Sequence, residues 1–193
     1  MDLFLDTTVD LTVGLISDDV KWLEYRKEST KATQKIHFII YEILKKHGLK
    51  ITDLNSCVFV AGPGSYTGMR VSAGITDLLK LEDLAIKSFY HFNVPKICGV
   101  ESGVWLADAF KGEYFTFTWD KDFSEKKLMN KKSFSPADHK HIFSHSKLEN
   151  IKTLDTSLLI VDNIKDIYQQ LDQQKSPLDL FYYRSIEDEF KRA

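Results

Sequence analysis

The chain has 193 residues, enough to bury a sizeable core in one domain or two small ones. Its 43% apolar and 28% charged residues are ordinary for a globular protein, and no apolar run approaches the roughly 20 residues of a membrane span. A net charge of −2 supplies no global attraction to nucleic acid, so an RNA contact would have to be local or contributed by a partner.

In chain order, Leu3-Phe4-Leu5 reads as a buried strand that meets the polar cluster Asp6-Thr7-Thr8-Val9-Asp10. Leu11 to Ile16 and Lys21 to Arg26 follow as two further strands, with Ser17-Asp18-Asp19 as the turn between them. Short connections make the three an antiparallel meander. Ser29 or Thr30 then caps a helix that runs to His47 and stops at Gly48. Ala32, Ile36, Ile39, Ile40, Ile43 and Leu44 share one face of it, a core stripe. Phe38 and Tyr41 fall on the opposite face, where a solitary domain is polar, and this points to a second surface made for a partner.

Cys57 to Ala61 reads as a buried strand that runs into Gly62-Pro63-Gly64-Ser65-Tyr66-Thr67-Gly68, after which Val71, Ile75, Leu78 and Leu79 recur at helical spacing. Glycines between a strand and a helix signal tight or close-approach backbone. Gly62, Gly64, Ser65, Thr67 and Gly68 therefore form either a capped turn or an anion-binding loop at a helix N-terminus. Two familiar phosphate loops do not fit. Met69-Arg70 replaces the Lys-Ser/Thr of a Walker A loop, and Gly68 is out of register with the dinucleotide fingerprint. With Val71, Ile75, Leu78 and Leu79 inward, Met69, Ala73 and Thr76 are expected to point outward beside Phe38 and Tyr41.

Leu84-Ala85-Ile86 is a strand candidate, with Ser88 as the cap of a short helix at Phe89 to Phe92. A second unit is expected to begin near residue 96, giving an N-terminal lobe over 1–95 and a smaller C-terminal lobe over 96–193. In it Val104 to Ala107 and Tyr114 to Trp119 are strands around the turn Phe110-Lys111-Gly112. The stretch 121–152 is polar and lysine-rich, with a helix start at Ser135-Pro136. Ser157 to Val161 reads as a last core strand, Asn163 to Leu171 as a helix, and Leu180 to Tyr183 as an apolar stretch before a charged tail. No internal repeat is visible in the sequence.

The strand–Asp6-Thr7-Thr8–strand start followed by Gly62-Pro63-Gly64-Ser65-Tyr66-Thr67-Gly68-Met69-Arg70 resembles the bacterial tRNA threonylcarbamoyladenosine biosynthesis protein family TsaB, also called YeaZ. Asp108-Ala109-Phe110-Lys111-Gly112-Glu113 and Phe181-Tyr182-Tyr183-Arg184 look like that family's hairpin and near-terminal motifs, with Phe110 in place of an arginine and Leu180 in place of a proline. The resemblance implies an α/β, two-lobed actin-like and sugar-kinase-like ATPase fold, with mixed sheets flanked by helices and a reduced second lobe. It also implies a scaffold subunit without chemistry of its own. Such a subunit docks on a catalytic, metal-binding paralogue that transfers a threonylcarbamoyl group to the adenosine next to the anticodon. A small ATPase belongs to the same complex, and tRNA is met indirectly. The family pairs through helices of the first lobe, which makes Phe38, Tyr41, Met69, Ala73 and Thr76 the expected interface, for the paralogue or for a second copy.

An ATPase or phosphotransferase of this fold wants a glycine in the first hairpin turn, and Asp6-Thr7-Thr8-Val9-Asp10 has none. No cofactor is therefore expected, beyond weak or partner-shared nucleotide. Asp6 reads as a turn-capping carboxylate or as the holder of a hydrated Mg²⁺. His141 and His145 at i, i+4 of an expected helix, with His139 nearby, raise a metallopeptidase-like reading, but a third and fourth ligand are not evident and no metal site is assigned. Lys126, Lys127, Lys131 and Lys132 form a basic strip, either solvated or a helper surface for an RNA backbone. Cys57 and Cys98 are sparse and suit reduced thiols, and Met1-Asp2-Leu3 lacks the basic start of a signal peptide, so a cytoplasmic location without a membrane partner is expected.

Overall fold

The computed structural model describes residues 1–29, 32–174 and 177–184, with side chains in the first helix from residue 35 onward. The Thr30 cap, the side chain of Ala32 and the tail beyond Arg184 lie outside the described residues. The chain divides into two compact units, Met1–Tyr90 with Tyr168–Phe181, and His91–Ile167 with the described residues 182–184.

In the first unit, β1 (Asp2–Asp6), β2 (Leu11–Ile16) and β3 (Trp22–Glu28) form the antiparallel meander, with Leu3 opposite Leu15 and Leu5 opposite Val13. β4 (Ser56–Val60) and β5 (Ala85–Phe89) add on in parallel, and the sheet order is β3-β2-β1-β4-β5. β1, β2 and β4 are near-continuous apolar runs because a central strand covered on both faces has no solvent side to keep polar. The sheet's Leu3, Leu5, Val13, Cys57 and Phe59 make one core with Ile36, Ile39, Ile40 and Ile43 of α1 (Ala32–Lys46) and with Ile75 and Leu79 of α2 (Tyr66–Lys80). The isoleucine stripe expected for α1 is thus buried. The helix ends at Gly48, whose φ of +68° suits a residue without Cβ, and Lys45 and Lys46 in its last turn meet the negative end of the dipole.

An ionic cluster ties α1 to β3. Glu24 accepts from Arg26 Nη2 at 2.9 Å and from Lys46 Nζ at 2.8 Å, with His47 Nε2 at 3.0 Å. The Lys46 ammonium first, then Arg26 and His47, hold the Glu24 carboxyl down from 4.5 to about 2. A lowered folded pKa means this contribution is intact at neutral pH and fades as pH falls below about 4.5 toward about 2. Glu24→Gln is therefore expected to flatten the acid limb of the pH–stability curve and lower the plateau above it, read from urea midpoints between neutral pH and pH 2 or so.

The second unit repeats the same path in miniature. β6 (Gly103–Asp108), β7 (Glu113–Trp119) and β8 (Ser124–Asn130) form a meander, and β9 (Ile142–Ser144) and β10 (Leu154–Asp155) join in parallel. The order β8-β7-β6-β9-β10 is that of the first sheet with every strand replaced by its counterpart. What shrinks is the helical half. Between β8 and β9 the chain makes only the short 3₁₀ turns Lys131–Ser133 and Pro136–Asp138, where the first unit has α1.

Several expectations are corrected by the structure. β8 lies inside the lysine-rich stretch, because Lys126 and Lys127 alternate on a strand paired with Phe117 and Thr116. His141 and His145 flank β9 and share no helix. Ser157 to Val161 belongs to a helix, α4 (Thr156–Asp162), after the four-residue α3 (Val94–Ile97), because Asp155 Oδ1 accepts from Ser157 N–H at 2.7 Å and caps it. Ser88 caps no helix: it lies in β5, and its Oγ accepts from Leu178 N–H at 2.6 Å. That bond, with Tyr168 Oη donating to Asp2 Oδ2 at 3.0 Å and Phe181 N–H to the Ala61 carbonyl at 2.8 Å, returns 168–181 to the first unit, so the units are not separated by one cut near residue 95. α5 (Ile164–Leu171) carries the chain into that return. Among the described residues no helix is long and apolar enough to cross a membrane.

Candidate functional site

The glycine loop and the β1–β2 turn are pressed together. Ser65 N–H donates to the Thr8 carbonyl at 2.6 Å, and Ser65 Oγ accepts from Gly68 N–H at 3.2 Å, capping α2. Thr7 Oγ1 donates to the Gly68 carbonyl at 2.7 Å and also lies 2.7 Å from Ser72 Oγ. Asp6, itself buried, accepts from Thr8 N–H at 2.9 Å and from Thr8 Oγ1 at 2.6 Å, which holds the turn in shape. The glycines make room for this contact. A Cβ on Gly68 would stand 1.9 Å from the Thr7 carbonyl oxygen, and one on Gly64 would stand 2.4 Å from that of Thr8. Gly62, at φ +114°, lies against Met69 Sδ and the Phe181 carbonyl. Thr67 is exposed. Loop and hairpin thus meet backbone to backbone at Gly64 and Gly68, so the loop works as a clasp between α2 and the hairpin.

The clasp sets how α2 is turned about its axis. Gly68, Met69, Ser72, Ile75, Thr76 and Leu79 face inward. This corrects the expected outward set: Met69 is 1% and Thr76 2% exposed, and Ala73 is half-buried with its carbonyl accepting from Thr76 Oγ1. Leu78, expected in the core, is 59% exposed. Hydrophobicity alone placed Leu78 inside. Thr7 overrules it, because bonding both Gly68 and Ser72 drives that side of the helix against the hairpin.

Phe38 and Tyr41 stand in solvent, each 58% exposed. Beside Tyr41 an apolar groove of about 610 Å³ runs between α1 and α2, floored by Ile40, Leu44, Leu49, Ile51 and Leu79 and edged by Leu78. A second hollow adjoins it at Leu78 and Leu81. His37, Lys45 and Lys50 supply the polar edge. The exposed large apolar side chains of α1 and α2 are therefore Phe38, Tyr41 and Leu78, with Leu81 at the C-cap of α2. The small residues Gly68 and Ser72, one helical turn apart, are the sequence signal that would have found it.

The other candidates disperse. His145 is buried and packs edge-on to His91 at 5.1 Å and Trp105 at 4.9 Å, while His139 stacks on Phe134. Among the described residues no three His, Cys, Asp or Glu side chains gather as a metal site. Lys126 Nζ sits 4.6 Å over the Phe92 ring, and its partial burial lowers its pKa. Lys127 pairs with Glu125 at 3.2 Å and Lys131 with Asp108.

A meander followed by two parallel strands, repeated in both units with β1 and β6 central in their sheets, is the topology of the actin-like and sugar-kinase-like ATPase fold. Within that class the expected resemblance to TsaB (YeaZ) is found. The chain is 32% identical over 80 residues to the tRNA threonylcarbamoyladenosine biosynthesis protein TsaB of Escherichia coli, a match covering 41% of this chain and 35% of that protein. The matched segment thus spans about a third of the curated relative's length. Two solved structures share the fold over 93% of this chain and 99% of theirs: YeaZ from Pseudomonas aeruginosa, at a TM-score of 0.63 and 14% identity, and a protein described as similar to peptidase YEAZ from Pseudomonas aeruginosa, at 0.62 and 15%. No protein-family model matches the chain.

Proposed function

We propose that this chain is a non-catalytic scaffold subunit in the biosynthesis of threonylcarbamoyladenosine in tRNA, acting by docking on a metal-binding catalytic paralogue. The observation that carries the proposal is the α1–α2 surface, where exposed Tyr41 and Leu78 line an apolar groove of about 610 Å³, Leu81 lines the adjoining hollow, and Phe38 stands exposed on α1. Exposed aromatics beside a pocket are the usual anchors of a protein interface. The sequence match to TsaB names the process, and the clasped glycine loop speaks for a role other than phosphate transfer. The same face serves a second copy when the paralogue is absent, and the small ATPase and tRNA join through the assembled complex. A cytoplasmic location follows from this role.

The test is co-purification of the tagged full chain with the paralogue. The expected result is an equimolar complex stable through gel filtration. Recovery of the chain alone at micromolar concentrations of both would refute the role.

A further inference from the structure

The lysines of the first unit fall into two groups. Lys21, Lys27, Lys35, Lys46, Lys80 and Lys87 pair with Asp19, Asp10, Glu28, Glu24, Asp77 and Asp172 in turn. Among the described residues of that unit, the lysines without an ion pair are Lys45 and Lys50, and both line the groove between α1 and α2. Both are exposed, and Lys45 Nζ is held 5.5 Å over the outward ring of Tyr41. The helix dipole accounts for Lys45 at most, since Lys50 follows the turn at Gly48. Among the described residues no carboxylate lines this groove. Glu82 lines the adjoining hollow, and Asp53 Oδ2 accepts from the backbone N–H of Lys50 at 2.7 Å. The apolar groove therefore has a positive edge that its own walls do not balance.

That edge discriminates between occupants. In the free chain lysine stems shield apolar surface while their heads stay in water. An occupant that is apolar throughout would fill the groove and leave both ammonium groups facing nothing of opposite charge. A second copy brings the same two lysines and a groove lined by no carboxylate of its own, so self-pairing leaves the edge unbalanced. A partner whose apolar anchors are flanked by carboxylates meets both the groove and its edge. Given the docking role proposed above, we infer that the groove is built for an acidic-edged apolar segment of the catalytic paralogue. Its apolar side chains lie on Ile40, Leu44 and Leu79, and a carboxylate stands against each of Lys45 and Lys50. The two lysines thus set specificity, favouring the paralogue over a second copy.

The experiment is calorimetric titration of the full chain with the paralogue at salt concentrations from about 50 to about 500 mM. Affinity for the parent chain should fall as salt rises. Lys45→Glu combined with Lys50→Glu should weaken binding about a hundred-fold. Lys45→Ala combined with Lys50→Ala should weaken it about ten-fold and remove most of the salt dependence. Neither lysine has an intramolecular ion pair to lose, so the melting temperatures of all three chains should agree. Binding of the charge-reversed chain as tight as the parent's, or a parent affinity indifferent to salt, overturns the acidic edge and leaves the docking role standing. Failure of the parent chain to bind the paralogue overturns both. Loss of self-association on charge reversal with paralogue binding unchanged makes the occupant a second copy and likewise overturns the inference.

Discussion

Gly68→Ala is expected to cost about 3 kcal/mol or more of stability, enough to lower the melting temperature by about 6–12 °C. The added methyl would lie 1.9 Å from the Thr7 carbonyl oxygen, and the atom in its way is backbone. A flexible side chain could swing aside; a turn held by Asp6 and Thr8 must move as a whole, breaking the Thr7 bonds to Gly68 and Ser72. Gly74→Ala in the same helix is the control. Nothing lies within 4 Å of the position, so the substitution should stabilise by up to about 1 kcal/mol through helix propensity alone. Urea or thermal unfolding of the pair separates a clasp from a general intolerance of the helix. Equal effects of the two would remove the clasp.

Phe38→Glu combined with Leu78→Glu is expected to abolish capture of the paralogue. Each anchor is worth about 2 kcal/mol or more at an interface centre, so the pair should weaken binding by roughly a thousand-fold. Both side chains are more than half exposed in the free chain, so the melting temperature should barely change. That combination, intact fold and lost partner, is read by calorimetry of unfolding beside a pull-down. A charge pair placed instead at Met69 and Thr76 would unfold the protein and say nothing about docking, because both are buried. Retention of the paralogue by the Phe38→Glu, Leu78→Glu chain would show that the interface lies elsewhere.

The first unit was largely legible because its signals are local and redundant. β1, β2 and β4 are apolar runs, and α1 has five buried apolar residues at helical spacing closed by a glycine. The orientation of α2 was not legible, since two polar bonds from Thr7 outweigh the preference of Leu78 for the core. The second unit was harder for a related reason. β8 is exposed on both faces over its first four residues and reads as charged coil, and β9 and β10 run three and two residues, too short for a period to register. α4 consists largely of residues that also suit a strand, and only the Asp155 cap marks it as a helix. The duplication of the sheet is invisible in sequence because it is a repeat of path and not of residues.

The most direct test of the central claim, that the glycine loop clasps the protein's own hairpin and cradles no phosphate, is a calorimetric titration of Mg²⁺ and ATP into the full chain. The account predicts no saturable binding at micromolar nucleotide. Micromolar binding that is lost on Asp6→Asn would contradict it and make the chain a nucleotide-using enzyme of its fold.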